Sequence, residues 1–473
     1  MYRKNMWEVY DEKQLGQVER LAEQYKKDLD LGKTERECVD IIEKKAIDKG
    51  YKNLEDLIKG KYTVKAGDKV YAKCMGKTIV LFNIGREPIE DGMNILGAHL
   101  DSPRIDVKQN PLYENTGLAY LDTHYYGGIK KYQWVTIPLA IHGVVVKKDG
   151  SKIDIVIGED DNDPVFVITD LLIHLAQDQM QKKANVVIEG EGLDLLLGSR
   201  GLKDSEEKEL VKSNILKIIK DKYGFEEEDF RSDIVEEDFL SAELEIVPAG
   251  KARDCGLDRS MVIGYGQDDR VCAFTSLYAM LEVENPARTS CCILVDKEEI
   301  GSTGATGMQS RFFEDSLMEL VNLMDIGDSM TVRRAMRNST MLSSDVSAAY
   351  DPLYSNVYEK QNSAHFGMGL VFNKYTGARG KSGSNDANAE YIAALRSIMD
   401  DNEVGYHTAE LGRVDQGGGG TIAYILAGQG MNVIDSGVAV LSMHAPMEVT
   451  SKADIYEAYK GYKAFLNDMK KID

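Results

Sequence analysis

No stretch of this chain approaches the ~18 uninterrupted apolar residues that a membrane-crossing helix needs. The opening MYRKNMWEVYDEKQ has no apolar core of the secretory-signal kind, so a cytoplasmic protein without a membrane partner is the expectation. The six cysteines, Cys38, Cys74, Cys255, Cys272, Cys291 and Cys292, include no CxxC pair and are too sparse for a secreted disulfide scaffold. They read as reduced packing residues. Positive charge is also short: 57 Lys and Arg against 78 Asp and Glu leave a formal net charge of −21. Such a surface repels a phosphate backbone, which argues against nucleic acid as a partner. Phosphate-binding loops are missing as well, since GSTGATG at 301–307 is not GxGxxG and GGGG at 417–420 lacks the Lys-Ser/Thr of a P-loop. Those glycines suit a tight turn or a close backbone approach to substrate.

What is present is a well-cored globular chain, 43% apolar and 29% charged. Its 473 residues exceed one ordinary compact unit of ~100–200 residues, so two or three lobes are expected. Thr34 with Glu37 forms a capping-box pattern ahead of Cys38, Ile41, Ile42 and Ala46 at helical spacing, with Gly50 as the stop, and a second helix is predicted from Asn53 to Gly60. KVYAKC, KTIVLFNIG and NILGAHLDSPR read as strands. From about 106 to 235 the texture changes to the alternating runs QWVTIPLAIHGVVVKK and KIDIVIG, with helices predicted within Thr169–Lys183 and Ser205–Tyr223. In the first of these, His174 with Leu171, Leu172 and Leu175 reads as a packing histidine. We take 106–235 as a lobe inserted between 1–105 and 236–473. In the last part CCILVD, GMGLVF and VAVLSMH alternate with helical runs such as Asn385–Met399, which is an α/β pattern.

Five segments place histidine or acidic residues beside small ones at strand ends: GAHLDSPR at 97–104, GQDDRV at 266–271, VDKEEIGSTGATG at 295–307, LSSDVSAAY at 342–350 and LSMHAPMEV at 441–449. Each alone is weak. Together they supply two histidines and several carboxylates, the donor set for two divalent ions ~3.5–4 Å apart. His99 and Asp101, two apart in an extended chain, share a face, so Asp101 can orient the imidazole. The adjacent Glu298 and Glu299 point differently, so one can ligate while the other takes a proton from water and passes it on. Spacing leaves open whether Asp268 or Asp269 is the ligand.

These five segments, in this order, resemble the aspartyl aminopeptidase and aminopeptidase I family of dinuclear zinc peptidases. IPLAIHG at 137–143, GKSGSNDANAE at 380–390 and GGGGTIAYI at 417–425 are similar to family segments too. The resemblance implies a three-layer α/β/α zinc-peptidase catalytic domain interrupted by a mainly β dimerisation domain. It implies two Zn2+ per subunit, with Co2+, Mn2+ or Ni2+ as substitutes. Asp268 would bridge the ions, Glu299 and His444 would complete one site, and His99 and Asp345 the other. Glu298 would be the general base, and the ion pair would hold the free α-amine of a peptide substrate. His142, otherwise a satisfied strand histidine among Ile137, Leu139 and Ile141, would reach the active site of a neighbouring subunit. Arg379, Lys381 and Gly418 fall where the family contacts substrate, although NKYTGARGKSG departs from the acidic-specific members and two solvated cations are an equal reading of Arg379 and Lys381. Glu448 is read either as a group that orients a ligand or as a solvated charge. Relatives pair into dimers and close into a tetrahedral dodecamer, and this chain is expected to do the same. The competing readings are a dinuclear deacylase or carboxypeptidase, and a noncatalytic shell or cargo scaffold derived from a peptidase.

Overall fold

The computed structural model describes residues 4–203, 208–223 and 239–472. The chain forms two compact units, one of Met1–Ser102, Ala252–Met443 and Glu448–Asp473, the other of Pro103–Lys251 and His444–Met447.

The first unit is built on a nine-stranded sheet, in the order Lys52–Asn53, Lys69–Cys74, Thr78–Asn83, Thr289–Val295, Met93–His99, Thr340–Ser344, Asn432–Gly437, Leu370–Asn373 and Tyr406–Thr408. Its middle is parallel, Met93–His99 lying between Thr289–Val295 and Thr340–Ser344, with Asn432–Gly437 beyond. Strands in such a position are buried on both faces and read as continuous apolar runs. The alternation survives as a division between two cores. Leu96, Cys292, Leu294, Leu342 and Ile434 enter one. Ile95, Cys291, Ile293, Met341 and Val433, each one residue out of step, enter the other.

Helices Glu12–Leu31, Glu35–Asp48, Gln267–Glu282, Ala389–Asp401 and Lys452–Asp468 close the first core. Leu54–Lys59, Phe312–Leu323, Ser329–Arg337 and Ala423–Ala427 close the second. The result is the expected three-layer α/β/α arrangement. Helix Gln267–Glu282 is buried from Gln267 to Leu281, polar first turn included, so that turn is pinned inside the protein. A five-stranded sheet pairs Met261–Gly264, just before that turn, with Glu448–Ser451.

The second unit is an antiparallel six-stranded sheet in the order Lys152–Ile157, Leu139–Val146, Ala242–Pro248, Arg104–Asn115, Leu118–Tyr126 and Leu195–Gly198, with helix Leu210–Tyr223. Its edges fall at Pro103 and Lys251, where sequence texture suggested 106 and 235. Position 235 and the expected helix start at Ser205 lie outside the described residues. Strand Ala242–Pro248 pairs along its length with Leu139–Val146, and its alternation carries no mark of which sheet it joins.

One predicted helix is corrected. Thr169–Lys183 contains only single-turn 3-10 segments at Ile173–Leu175 and Gln179–Gln181. Asp170 bends the chain there, its Oδ1 accepting from Leu171 N and Gln179 Nε2, a local alternative to helical pairing. Leu171, Leu172, Ile173 and Leu175 are 50%, 58%, 62% and 70% exposed, and His174 is exposed rather than packed. Among the described residues no helix is long and apolar enough to cross a membrane.

The capping box at Thr34 forms as read: Glu37 N donates to Thr34 Oγ1 at 3.2 Å and Thr34 N donates to Glu37 Oε2 at 3.0 Å. Thr34→Ala removes this cap at the start of a core helix and is expected to destabilise the protein by about 1 kcal/mol, read as a lower thermal midpoint with the fold intact by circular dichroism.

Candidate metal centre

The strand Met93–His99 delivers His99 to the end of the parallel sheet, where it is 1% exposed. Its Nδ1 lies 2.9 Å from the main-chain oxygen of Asp101, an atom that can only accept. In the neutral ring the proton therefore sits on Nδ1 and the lone pair on Nε2. Nε2 is buried without a hydrogen-bond partner, 3.3 Å from Asp268 Oδ1, 3.8 Å from Glu298 Oε2 and 3.9 Å from Asp345 Oδ1.

Asp268 opens the buried helix Gln267–Glu282, with non-helical backbone angles at Asp268 and Asp269 and a cis peptide bond between them. Its N–H donates to Glu448 Oε2 at 3.0 Å and its carbonyl accepts from Ser102 Oγ at 2.6 Å. Asp269 turns the other way and accepts from the His99 backbone N–H at 3.4 Å, its carboxyl raised well above the usual range by burial. The carboxylate presented to Nε2 is therefore that of Asp268. Glu298 and Glu299 follow strand Thr289–Val295 in a short 3-10 turn, and their N–H groups donate to Asp101 Oδ1 and Oδ2, each at 3.1 Å. Asp101 thus serves the imidazole through its carbonyl and the glutamate pair through its carboxylate. Asp345 follows strand Thr340–Ser344, its N–H donating to Ser436 O at 3.1 Å.

Ligating atoms of His99, Asp268 and Asp345 all lie within 4.8 Å of one another, as do those of His99, Glu298 and Glu299. Zinc bonds of about 2.0–2.2 Å in tetrahedral geometry separate neighbouring ligand atoms by about 3.3 Å, close to the His99 spacings. Electrostatics points the same way. Burial pushes the Asp345 carboxyl well above its usual range and Glu298 adds to the rise, while His99 opposes it. Burial draws the His99 imidazole toward neutrality, yet Asp101 and Asp268 outweigh it and raise its pKa well above the usual value. Positive charge is what this cluster calls for, and the residues fit a divalent cation.

The other expected residues divide. His444 belongs to the second compact unit, although Met443 before it and Glu448 after it belong to the first. Its Nδ1 lies 2.9 Å from Gly128 O, which again puts the lone pair on Nε2. His142, on strand Leu139–Val146, is 2% exposed with Nε2 3.1 Å from Glu159 Oε1. Arg379 and Lys381 are exposed, and Lys381 pairs with Asp386 at 2.9 Å and stacks its ammonium 3.8 Å from the Tyr375 ring centre. Gly418 has φ +118°, and a Cβ there would stand 2.6 Å from Ala378 Cα, so its close approach is to the neighbouring loop.

Glu448, 1% exposed, is not a solvated charge, because it holds the Asp268 amide. Sequence reading gave no part to Ser102 or Arg270. Arg270 is fully buried, donating from Nε to Leu100 O at 3.1 Å and from Nη2 to Lys33 O at 2.9 Å, and so fixes the loop carrying Asp101. Their only signal was adjacency, Ser102 beside Asp101 and Arg270 beside the Asp pair.

The sequence profile described as aminopeptidase I zinc metalloprotease (M18) matches residues 29–466. A relative in Clostridium acetobutylicum, named "Probable M18 family aminopeptidase 1", is 62% identical over 465 residues, 98% of each chain. The crystal structure of an M18-family aminopeptidase from Thermotoga maritima matches with a TM-score of 0.92 at 42% identity, over 99% of this chain and 100% of that one. A structure of the S. cerevisiae mApe1 dodecamer, 19% identical, shares the fold with a TM-score of 0.74 over 96% of this chain and 97% of its own.

Glu448→Ala leaves the buried Asp268 N–H without this acceptor. It is expected to destabilise the protein by about 1–3 kcal/mol, measured as a shift of the denaturant midpoint, and an unchanged midpoint refutes the contact's importance.

Proposed function

Because the chain belongs to the M18 family of aminopeptidase I zinc metalloproteases, we propose that it removes the N-terminal residue of peptides with two zinc ions and Glu298 as proton carrier. The observation that carries this reading is the convergence of His99, Asp268, Asp345, Glu298 and Glu299 around one lone-pair nitrogen. In the proposal Asp268 would serve both ions, His99 and Asp345 would hold one, and Glu299 and His444 would hold the other. Bound there, the ions would supply Lewis-acid polarisation of the scissile carbonyl and would bring a water's pKa toward ~7.

The chain's own groups do the rest. Asp101, accepting from both glutamate N–H groups, fixes the turn from which Glu298 and Glu299 both reach the cluster. Glu298 accepts the proton of the attacking water and returns it to the departing amine, one carboxylate serving first as base and then as acid. His142 is proposed to act in a neighbouring subunit, where an imidazole can bind substrate and stabilise the developing oxyanion. For this it must exchange its bond to Glu159. The second unit is proposed as the dimerising surface of a tetrahedral dodecamer. The exposed Leu171, Leu172, Ile173 and Leu175 support it, since isolated proteins rarely leave such a run to water. No disulfide joins any of the six cysteines, in keeping with a reducing compartment, and we place the protein in the cytoplasm.

Glu298→Gln is expected to keep its zinc, measured by elemental analysis, while kcat on a peptide substrate falls by about 10²–10⁴-fold. Unchanged kcat removes Glu298 as base, and loss of zinc moves it among the ligands. His142→Ala is expected to lower turnover with zinc retained. Co-expressed with the Glu298→Gln chain it should regain activity, because sites with an intact Glu298 then receive a partner's intact imidazole. No recovery in mixed assemblies rejects the role in trans.

A further inference from the structure

Asp435 lies on strand Asn432–Gly437, which pairs with the strand leading to Asp345, and is 2% exposed. One carboxylate oxygen accepts from Thr421 Oγ1 at 2.6 Å, and the other is buried without a hydrogen-bond partner. Its neighbours Val433 and Ile434 enter the two apolar cores, so a carboxyl here is an expensive choice for a strand. Burial pushes it up to about 7 although Thr421 pulls the other way, and the charge of Glu298 adds to the rise.

What Asp435 holds is Thr421. The same Oγ1 accepts from Ala423 N at 3.3 Å, setting the entry to helix Ala423–Ala427. Between them Ile422, 1% exposed, packs over Gly97, where an added Cβ would lie 3.7 Å from Ile422 Cδ1, two residues ahead of His99. From the helix, Tyr424 OH accepts from Gln309 Nε2 at 3.3 Å, and that nitrogen also donates to Gly301 O at 3.0 Å. Gly301 N–H donates to Glu298 O at 2.9 Å, closing the turn that carries the proton acceptor.

We propose that Asp435 is a positioning residue for the reaction: through Thr421 it locks the segment Thr421–Tyr424 that braces the Glu298 turn, and so sets where the proton acceptor stands. The inference rests on the reading of Glu298 as base. Asp435 is not itself a group that touches substrate or the reacting atoms. It acts by geometry, and misplacing a reacting group by ~1 Å is enough to cost as much as about 10²-fold in rate.

The test is steady-state kinetics with zinc content and melting temperature for Asp435→Ala, Asp435→Asn, Thr421→Val, Thr421→Ser, the Asp435→Ala/Thr421→Val double variant and Glu298→Gln, all as full chains. Asp435→Ala and Thr421→Val should each lower kcat about tenfold with KM and zinc unchanged. Asp435→Asn still accepts the hydroxyl proton and Thr421→Ser still donates it, so both should stay near wild type. The double variant should be no slower than either single change, because one linkage has been cut twice. Unchanged kcat in the single variants, a loss expressed only in KM, an additive double variant, or loss of zinc overturns the proposal. Should Asp435→Ala not fold, the Thr421 pair decides on its own. If Glu298→Gln keeps full activity, the reading of the base falls and this inference with it. If Glu298→Gln is inactive while Asp435→Ala and Thr421→Val are unaffected, this inference alone falls.

Discussion

Carboxylates crowd a buried imidazole, and their pull on its pKa shows how strongly the cluster favours positive charge. His99 Nε2 stands 3.3 to 3.9 Å from Asp268, Glu298 and Asp345, which concentrates negative charge around one ring nitrogen. Burial makes this more severe, as the raised pKa values of Asp345 and His99 express. A divalent ion resolves the conflict, which is why the fold, the supporting hydrogen bonds and the proposed chemistry all meet at this place.

The rest of the first unit can be understood as support for that conflict. Parallel strands bring His99, Asp345 and the Glu298 turn to the same end of the sheet. A helix buried on every side holds Asp268 against them. Behind these residues stand groups whose bonds run to backbone: Asp101 to two glutamate amides, Glu448 to the Asp268 amide, Ser102 to the Asp268 carbonyl and Arg270 to the Leu100 carbonyl. Backbone contacts fix where each side chain begins, so the cluster is positioned through its main chain. The proposed brace through Asp435 and Thr421 extends the same principle one layer outward.

Much of this was legible along the chain. The capping box at Thr34, the strands and the α/β class follow from local rules, because a cap or an alternation involves residues a few positions apart. The five chemistry-bearing segments were legible because their residue types are costly at strand ends unless something uses them. The helix expected within Thr169–Lys183 was misread, since apolar residues there signal burial only if a partner face exists, and in this chain those leucines are exposed. The affiliation of strand Ala242–Pro248 with the inserted sheet was invisible for a similar reason: pairing is a property of two strands, and only one was in view.

By itself the sequence determined the donor inventory, the α/β class, the family likeness and the exclusion of phosphate loops, since these depend on residue type and short spacing. Spacing left Asp268 and Asp269 open and the family likeness pointed to Asp268; the tertiary structure shows which of the two faces the imidazole, that Glu448 is buried against the Asp268 amide, and that Asp435 bonds Thr421. Each of these is a direction in space, set by packing between segments far apart in the chain, and two adjacent aspartates carry no information about which of them that packing will turn inward.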